Sequence, residues 1–443
     1  MSNFLDIEKC IEEEAQRQEN EICLIASENY MSKDVLDACG SKFINKYAEG
    51  YSKHRYYGGC SIVDKLEDIA NREARELFNC KWSNVQPNSG CQANQAVYMA
   101  LLNPGGDTIL GMDINSGGHI SHTLGIGFAG TFYNNVSYGL DENGYLNYDE
   151  IKEKLYQHHP RLLIVGASAY PRIIDFERIR KIVDEYNADL KNHLFDDMKG
   201  WAEEVILEHY ESAKCYLMVD MAHIAGLVAA GVHPSPLPYA DVVTSTVQKT
   251  LRSGRGGLIL SNNEELGKKI DKAIFPRLQG GPLMNMIAGK AVGFSEALQP
   301  EFKKYQEQVL ENIQGMVKVF NDSHIKMISG GSDNHLLLLD LREEPFSGAD
   351  LERVLEKIGI IVNKNAVQND PKPKMETSGV RIGTAAITTR GAKINGAIQI
   401  AMIIAQVVHQ LRNYGGISDE FFDEAKDWVK TWCKNHPIYP SYD

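Results

Sequence analysis

The stretch Asp241-Val-Val-Thr-Ser-Thr-Val-Gln-Lys-Thr-Leu-Arg-Ser-Gly-Arg-Gly-Gly257 decides the fold. Its β-branched run at residues 242–247 predicts a buried strand, and the glycines that follow between two arginines predict a tight loop. Lys249 therefore lies at a strand end, beside that loop. A lysine amine in a desolvated pocket has a lowered pKa and can form a Schiff base with a carbonyl group. A surface lysine is an equally good interpretation of this stretch alone, so partners elsewhere in the chain must decide.

Apolar runs lie on both sides of this stretch and alternate with helical segments. They occupy residues 108–112, 162–165, 176–186, 216–219, 242–247 and 257–260. Such alternation predicts an α/β domain with a largely parallel sheet, and ligands gather at the strand ends of such a sheet. Earlier in the chain, a turn at residues 84–94 precedes a helix predicted from residue 95. Beyond residue 282, longer helical segments with short strands predict a smaller carboxy-terminal α/β domain.

The composition excludes several classes of function. The formal net charge of −13 argues against broad nucleic-acid binding or attachment to an anionic membrane surface. The eight cysteines show no paired spacing, so neither a disulfide framework nor a metal site is indicated. The acidic amino terminus lacks the features of a secretory signal or transit peptide, which predicts a cytoplasmic protein. The apolar segment 396–408 is shorter than the roughly 20 residues that span a bilayer, and it predicts a buried helix.

Further residues supply partners for the strand-end lysine. Ser89 and Gly90 precede a predicted helix, whose N-terminal N–H groups and dipole favour a phosphate. Asp220 ends a strand and could pair with a protonated pyridine nitrogen, while His119 follows two glycines that allow close approach to a flat ring. Arg381 could grip a carboxylate. A helix cap, a loop histidine and a surface arginine are the ordinary alternatives, but together these residues are what a pyridoxal-phosphate enzyme acting on an amino acid requires.

Extended motifs stand in the chain in the order found in one family of such enzymes. They are Leu24-Ile-Ala-Ser-Glu-Asn29, Asn45-Lys-Tyr-Ala-Glu-Gly-Tyr51, Arg55-Tyr-Tyr-Gly-Gly-Cys60, Asn84-Val-Gln-Pro87, Val219-Asp-Met-Ala-His223, Ala225-Gly-Leu-Val-Ala-Ala-Gly231, Gln279-Gly-Gly-Pro282, Val362-Asn-Lys-Asn-Ala366 and Ser378-Gly-Val-Arg381. On these motifs the sequence resembles the serine hydroxymethyltransferases over nearly its whole length. The resemblance implies reversible transfer of the serine hydroxymethyl group to tetrahydrofolate, giving glycine and 5,10-methylenetetrahydrofolate, with pyridoxal phosphate as cofactor.

The resemblance also implies how the cofactor is held. Lys249 resembles the lysine that forms the Schiff base, Asp220 the partner of the pyridine nitrogen and His119 the histidine that stacks on the ring. The other residues implied to contact the cofactor are Ser89, Gly90, Cys91, Ser168, His223 and Gln248, with Tyr47 and Gly281 of the neighbouring subunit.

Substrate contacts and catalytic roles are implied in the same way. Ser27 and Arg381 resemble the residues that hold the amino-acid carboxylate, and Glu49 resembles the acid–base group. The residues implied to contact the substrates, including the pterin of the folate, are Ser27, Glu49, Tyr57, Ile114, Ile120, Asn365 and Arg381. Those implied to act in catalysis are Glu49, Tyr57, His119, Asp220, Thr246 and Lys249.

The fold and assembly implied are those of pyridoxal-phosphate fold type I. A large domain with a mostly parallel seven-stranded sheet flanked by helices is joined to a smaller carboxy-terminal α/β domain. We expect an amino-terminal arm at residues 1–25, a large domain at 26–284 and a small domain at 285–443. We also expect a homodimer with shared active sites, with a tetramer as the alternative, and no nucleic-acid or membrane partner.

The chain departs from the family near the expected phosphate. Gln248 stands where a histidine usually precedes the lysine, Cys91 replaces a serine, Val247 replaces a threonine and Ser253-Gly254 replaces Gly-Pro. Glutamine can donate a hydrogen bond but cannot carry charge near neutral pH. We therefore expect weaker cofactor retention than in a typical member.

A second departure is an addition at residues 189–215, where the family has almost nothing. Trp201, Val205, Leu207 and Tyr210 among acidic residues predict an amphipathic helix. This helix is either a surface decoration of its own domain or a site for a partner.

Two alternative functions stay open. One is a pyridoxal-phosphate-dependent aldolase or hydroxymethyltransferase that acts on another β-hydroxy or α-methyl amino acid. The other is a non-catalytic member that serves as a binding or regulatory subunit, which the departures near the phosphate permit. Retention of Lys249, Asp220, Glu49 and Arg381 together argues against the second alternative.

Overall fold

The computed structural model describes residues 2–439, so residues 1 and 440–443, at the ends of the predicted arm and small domain, lie outside the described part. Its strands are β1 (Ile22–Cys23), β2 (Gly50–Tyr51), β3 (His54–Arg55), β4 (Trp82–Asn84), β5 (Thr108–Met112), β6 (Asn134–Tyr138), β7 (Leu162–Val165), β8 (Tyr216–Asp220), β9 (Val242–Thr246), β10 (Gly257–Ser261), β11 (Leu336–Asp340), β12 (Ile360–Ile361), β13 (Asn363–Asn365) and β14 (Gly379–Gly383).

Helices connect and cover these strands in the described part of the chain. They are α1 (Ser2–Asn20), α2 (Lys33–Cys39), α3 (Ser61–Phe78), α4 (Gly90–Leu101), α5 (Phe128–Phe132), α6 (Tyr148–His158), α7 (Phe176–Asp197), α8 (Glu203–Ala213), α9 (Ala225–Ala229), α10 (Glu264–Lys272), α11 (Met284–Ala297), α12 (Pro300–Asp322), α13 (Gly348–Ile358), α14 (Ala385–Thr389), α15 (Ile394–Tyr414) and α16 (Asp419–Asn435). Short 3-10 turns occupy Lys42–Asn45, Ile114–Ser116 and Ile328–Gly330, and an irregular helical turn occupies Ala273–Leu278.

A seven-stranded sheet with the order β4-β10-β9-β8-β7-β5-β6 forms the centre of the large domain. The strands from β9 to β6 pair in parallel, whereas β10 is antiparallel to both β9 and β4. Leu163 and Val165 of β7 pack in one apolar cluster, and Leu162 and Ile164 pack in another. Because alternate side chains of a strand point to opposite faces, the sheet is covered on both faces. The predicted α/β fold with a mostly parallel sheet is confirmed.

One apolar run that the sequence groups with the strands is part of a helix. Residues 176–186 begin α7, in which Ile179, Ile182, Val183 and Tyr186 are buried. Their spacing of three and four residues places them on one helix face, whereas strand residues would alternate. The grouping of this run with the strands is therefore wrong.

A second apolar core surrounds an antiparallel sheet with the order β11-β14-β13. Strand β1 pairs in parallel with β12, and Ile22 and Leu24 pack in this core, so the amino-terminal segment is anchored there. Helix α11 packs Met284, Ile287 and Phe294 into the core of the large sheet instead. The domain limits taken from the sequence stay predictions.

Helix α15 lies in the core of the small domain. Within the described residues it is the one helix long and apolar enough to cross a membrane, because its 21 residues are mostly apolar, whereas the longer helices α7 and α12 carry many charged residues. The expectation that this segment is too short to span is therefore wrong. Ala397, Ile400, Ala401 and Ile404 nevertheless pack in the second core, and the helix lies along α12. The prediction of a buried helix is confirmed.

The addition at residues 189–215 forms the end of α7, a turn and α8. Gly200, with φ of +98°, lies in the turn, and Trp201 follows it with 62% of its surface exposed. The predicted helix exists, but it starts at Glu203, so the inclusion of Trp201 is wrong. Lys191 of α7 lies 5.8 Å from the centre of the Tyr210 ring, which shows that α8 packs back on α7.

Candidate active site

A cavity of about 210 Å³ lies where β7, β8 and β9 end. It brings together the cofactor residues expected from the same subunit. Its lining consists of Ser89, Gly90, Cys91, His119, His122, Ala167, Ser168, Asp220, Ala222, His223, Thr246, Gln248 and Lys249. A neighbouring cavity of about 290 Å³ shares Gln248 and includes Ser27 and Arg255. The strand ends of this sheet therefore hold a pocket with acidic, basic and hydroxyl groups.

Lys249 is buried in this cavity, with 8% of its surface exposed. Burial lowers its pKa to about 8, although the charge of Asp220 acts in the opposite direction. Three residues beyond β9, the chain turns back sharply, because the Arg252 N–H donates to the Lys249 carbonyl at 3.0 Å and the Ser253 N–H donates to the Val247 carbonyl at 2.8 Å. The turn fixes the amine in the cavity, where it is a stronger nucleophile at neutral pH than a solvated lysine.

Asp220 is the anionic group of the cavity. Its carboxylate lies 3.0 Å from His122 Nε2 and accepts a hydrogen bond from Asn94 Nδ2 at 2.9 Å and from the Ala222 N–H at 3.0 Å. Burial alone would raise the pKa of Asp220, but the hydrogen bond and charge of His122 outweigh it and hold the pKa well below its usual range. The side chain is thus an ionised carboxylate suited to a cationic partner.

Asn94 and His122 are site residues that sequence reasoning missed. Asn94 lies on α4 one turn after Gly90, and its oxygen accepts a hydrogen bond from Thr244 Oγ1 at 2.6 Å. His122 lies three residues after His119 in the same loop. That spacing of two histidines was a usable signal, whereas nothing in the sequence around Asn94 distinguishes it from a helix-surface amide.

The start of α4 faces the cavity. Ser89 is the N-cap, and its hydroxyl accepts a hydrogen bond from the Gln92 N–H at 3.2 Å. A Cβ atom on Gly90 would lie 2.5 Å from the Thr246 methyl group, so glycine is needed for this close approach. The helix begins at Gly90 and not at residue 95 as predicted, because the serine cap starts it earlier. Free backbone N–H groups and the helix dipole give this end the chemistry that favours an anion.

Two histidines line the cavity in neutral form. Burial lowers the pKa of His119 to about 4, and His119 Nδ1 lies 2.7 Å from Ser121 Oγ. Burial also lowers the pKa of His223 well below its ordinary value, with the charges of Lys249 and Arg381 acting in the same direction. A neutral imidazole can stack on a flat ring or exchange a hydrogen bond without adding charge.

Arg381 is a buried cation without a carboxylate partner within residues 2–439. Its guanidinium donates to the Ser168 carbonyl at 2.7 Å and to Asn363 Oδ1 at 3.1 Å, and it lies 3.5 Å from Ser27 Oγ. Burial lowers its pKa to about 10, so it still carries its proton at neutral pH. Such a guanidinium is ready to bind a carboxylate in bidentate geometry.

Three buried side-chain atoms of the cavity lack a hydrogen-bond partner in the described chain. They are His122 Nδ1, Thr246 Oγ1 and Gln248 Oε1. Unpartnered polar atoms are uncommon in folded proteins and often mark a ligand site. The start of α4, the charge at Asp220 and the amine of Lys249 fit a ligand that has an anionic end, a basic ring nitrogen and a carbonyl group.

The residues expected to act on the neighbouring subunit do not line this cavity. The Tyr47 and Tyr57 rings lie 5.2 Å apart, and Tyr47 is 57% exposed. Glu49 lies close to Tyr57, because its charge raises the pKa of Tyr57. Gly281 lies close to Tyr47, since a Cβ atom on Gly281 would be 3.1 Å from the Tyr47 ring. Tyr47, Glu49, Tyr57 and Gly281 therefore form a separate cluster, called here the tyrosine cluster.

The residues expected at the pterin site are also outside the cavity lining. Ile114 begins the turn that precedes His119, and Ile120 follows His119 with 54% of its surface exposed. Asn365 lies on β13 and donates to the Ala366 carbonyl at 2.7 Å. A hydrogen bond of 2.9 Å from Ser116 to Gln368 joins the two segments. Ile114 and Ile120 thus lie on one segment and Asn365 lies on an adjoining one.

The seven-stranded sheet with a buried lysine at its strand ends belongs to the fold type I class of pyridoxal-phosphate proteins. Comparison with known proteins gives the family. The family profile described as serine hydroxymethyltransferase matches residues 3–209 and 203–404. The serine hydroxymethyltransferase of Baumannia cicadellinicola is 48% identical over 97% of this chain and 96% of its own length. Serine hydroxymethyltransferase 1 of Pseudomonas fluorescens is 48% identical over 98% and 96%. The chain belongs to the serine hydroxymethyltransferase family.

Proposed function

We propose that this protein transfers the hydroxymethyl group of serine reversibly to tetrahydrofolate, giving glycine and 5,10-methylenetetrahydrofolate. The observation that carries the proposal is the buried Arg381, unpaired with any acid of the described chain, beside a cavity that holds Lys249 and the ionised Asp220. Full-length relatives named for this activity support it.

We propose pyridoxal phosphate as the cofactor, because the residues present give each of its parts a partner. Ser89 and Gly90 at the start of α4 would bind the phosphate, Asp220 the ring nitrogen and His119 the ring face, while Lys249 would bind the carbonyl carbon. The other cofactor residues proposed from the same subunit are Cys91, Ser168, His223 and Gln248, whereas Thr246 is proposed to act in catalysis. When bound, pyridoxal phosphate supplies an electron-withdrawing ring that stabilises charge at the α-carbon of an amino acid.

Residues of the chain would supply the other functions, which are charge stabilisation, proton transfer and orientation of the substrate. Asp220, held ionised by His122 and Asn94, would stabilise the protonated form of a ring nitrogen placed beside it. Lys249 Nζ can take or give a proton near neutral pH, since its pKa is lowered to about 8. Arg381, with Ser27 beside it, would fix the substrate carboxylate and so orient the bond that breaks.

We propose further that two copies of the chain share their active sites. Tyr47, Glu49, Tyr57 and Gly281 lie outside the cavity, and the exposure of Tyr47 leaves this cluster open to a second subunit. Glu49 from the neighbouring subunit would act as the acid–base group for the hydroxymethyl oxygen. Ile114, Ile120 and Asn365 would hold the pterin of the folate. A cytoplasmic location is part of the same proposal.

The cofactor claim is tested by visible absorbance. Purified protein with pyridoxal phosphate should show a yellow band that borohydride abolishes, with the label then found on Lys249 by peptide mass. The Lys249→Met variant should show no band, whereas Lys272→Met, at an exposed lysine of α10, should match the wild type. Absence of a band in the wild type after cofactor is added would favour the non-catalytic alternative.

A further inference from the structure

We infer that Lys290 is a positioning residue that holds the phosphate-binding end of the cavity. The inference rests on the proposed function, because it concerns how the chain presents the start of α4 to the cofactor phosphate. The segment in question is residues 84–89, called here the cradle loop, which leads from β4 into the N-cap Ser89.

The ammonium group of Lys290 contacts the cradle loop directly. Lys290 is 1% exposed, and its Nζ donates to the carbonyls of Val85 at 2.6 Å, Pro87 at 2.9 Å and Gly257 at 2.9 Å. A protonated lysine has three N–H donors, so every donor is used. The contact with Pro87 lies two residues before Ser89, and the contact with Gly257 lies at the start of β10.

The cradle loop is irregular and its residues 84–87 are buried, so the backbone groups of those residues need partners from elsewhere. The Gln86 N–H donates to Asn84 Oδ1 at 2.8 Å, and the Gln86 carbonyl accepts from Gln279 Nε2 at 3.0 Å. The Asn88 N–H donates to Gln279 Oε1 at 3.0 Å. Lys290 supplies the bonds to Val85 and Pro87, and thus completes a set that fixes the loop conformation.

Lys290 also contacts the loop that follows the active-site lysine. A Cβ atom on Gly256 would lie 2.2 Å from Lys290 Cε, and one on Gly257 would lie 2.3 Å from the Ser89 carbonyl oxygen. Two of the three glycines that follow Lys249, Gly256 and Gly257, are therefore required by the close approach of Lys290 and of the cradle loop. The Lys290 side chain therefore joins the loop that follows Lys249, at Gly257, to the cradle loop, at Pro87.

The charge of Lys290 is met by carbonyl dipoles, because no carboxylate of the described residues forms an ion pair with it. Burial lowers its pKa to about 7, while the charges of Glu67 and Cys39 act in the opposite direction. The three carbonyl acceptors match the protonated form, which alone has three N–H groups. Loss of this group would let Val85 and Pro87 move, and the N–H groups at the start of α4 would move with them.

The test compares a ligand with a phosphate to the same ligand without one. Affinities for pyridoxal phosphate and for pyridoxal are measured by absorbance for the wild type, Lys290→Met and Lys290→Gln. Lys303→Met, at an exposed lysine of α12, is the matched control. Competition by inorganic phosphate against pyridoxal phosphate gives a second readout that does not depend on turnover.

We expect both Lys290 variants to bind pyridoxal phosphate about tenfold more weakly, as for the loss of one or two hydrogen bonds to its phosphate, and to bind pyridoxal within about twofold of the wild type. Inorganic phosphate should compete correspondingly less well. Equal losses for both ligands, unchanged affinities, or failure of both variants to fold would overturn the inference, since each would assign Lys290 a general structural role or none. A wild type that binds no pyridoxal phosphate would instead refute the proposed function.

Discussion

Lys249 shows at the scale of one residue how burial creates reactivity. A solvated lysine has a pKa near 10.4, whereas burial lowers the pKa of Lys249 to about 8. The neutral amine, which is the nucleophile, is therefore the minor form at pH 7 and the major form above pH 8. The charge of Asp220 opposes this shift, so the two residues set the value together.

This pKa predicts a pH dependence. The rate at which the protein captures pyridoxal phosphate, followed by absorbance, should rise with pH with a midpoint near 8. In Asp220→Asn the midpoint should move lower, because a charge that favours the ammonium form is removed. A wild-type midpoint above 10 would show that Lys249 is solvated, contrary to its burial.

Gln248 is the second residue whose role can be measured. Its Oε1 atom has no partner in the part of the chain that the structure describes, and an unpartnered carbonyl oxygen beside a phosphate gives no attraction. We expect Gln248→His to bind pyridoxal phosphate several-fold more tightly, because an imidazole can donate to the phosphate and can also carry a positive charge, which glutamine cannot. Gln299→His, at an exposed glutamine, is the control. An unchanged affinity in Gln248→His would remove the basis for weak cofactor retention.

The sequence was informative for some site residues and silent for others. Asp220 and Lys249 could be predicted because each follows a buried strand, and Gly90 because it follows a serine at a helix start. Asn94 and His122 could not be assigned to Asp220, because their partner lies 126 and 98 residues away in the chain. Lys290 resembled any helix lysine, since its acceptors are about 200 residues earlier and 33 residues earlier.

At the scale of elements, helix α4 and the strands β8 and β9 position the groups that line the cavity. The strand ends deliver Asp220 and, three residues beyond Thr246, Lys249, while α4 points its first turn at the same cavity. The strands could be predicted from continuous apolar runs. The predicted start of α4 at residue 95 is too late, because the Ser89 cap begins the helix at Gly90.

Helix α8 contributes no residue to the lining of the cavity. It packs on α7, and the base of the addition is closed by paired hydrogen bonds between the Asn187 side chain and the Cys215 backbone, at 2.9 and 2.8 Å. We expect replacement of residues 189–213 by a short Gly-Ser linker to leave turnover within about twofold, as for a surface decoration. Size-exclusion chromatography should show an unchanged oligomer. A changed oligomer or lost turnover would favour the partner-site interpretation.

At the scale of the whole molecule, the tyrosine cluster is separate from the cavity, and the proposed sharing of active sites between two chains would bring the two together. Sequence reasoning named Tyr47, Glu49 and Tyr57 through the family resemblance, but spacing along one chain carries no information about which subunit a residue serves. One observation on the single chain supports the assignment of these residues to the neighbouring subunit's site. None of the three lines the cavity of its own chain.

Mixed dimers test this sharing. Lys249→Met and Glu49→Gln subunits, each inactive alone, should recover about a quarter of the wild-type sites on random pairing, because half of the dimers are mixed and one of their two sites is intact. Lys249→Met with Asp220→Asn is the control, since both changes lie on the same subunit's side of the site. No recovery in the first pair, with dimers present, would contradict shared active sites.

The central claim is tested most directly by incubating the purified protein, loaded with pyridoxal phosphate, with serine and tetrahydrofolate. We expect glycine and 5,10-methylenetetrahydrofolate to form in equal amounts, glycine formation to depend on the folate, and the Lys249→Met variant to form neither. A loaded wild type that forms no glycine from serine, or that cleaves another β-hydroxy amino acid faster without folate, would contradict it.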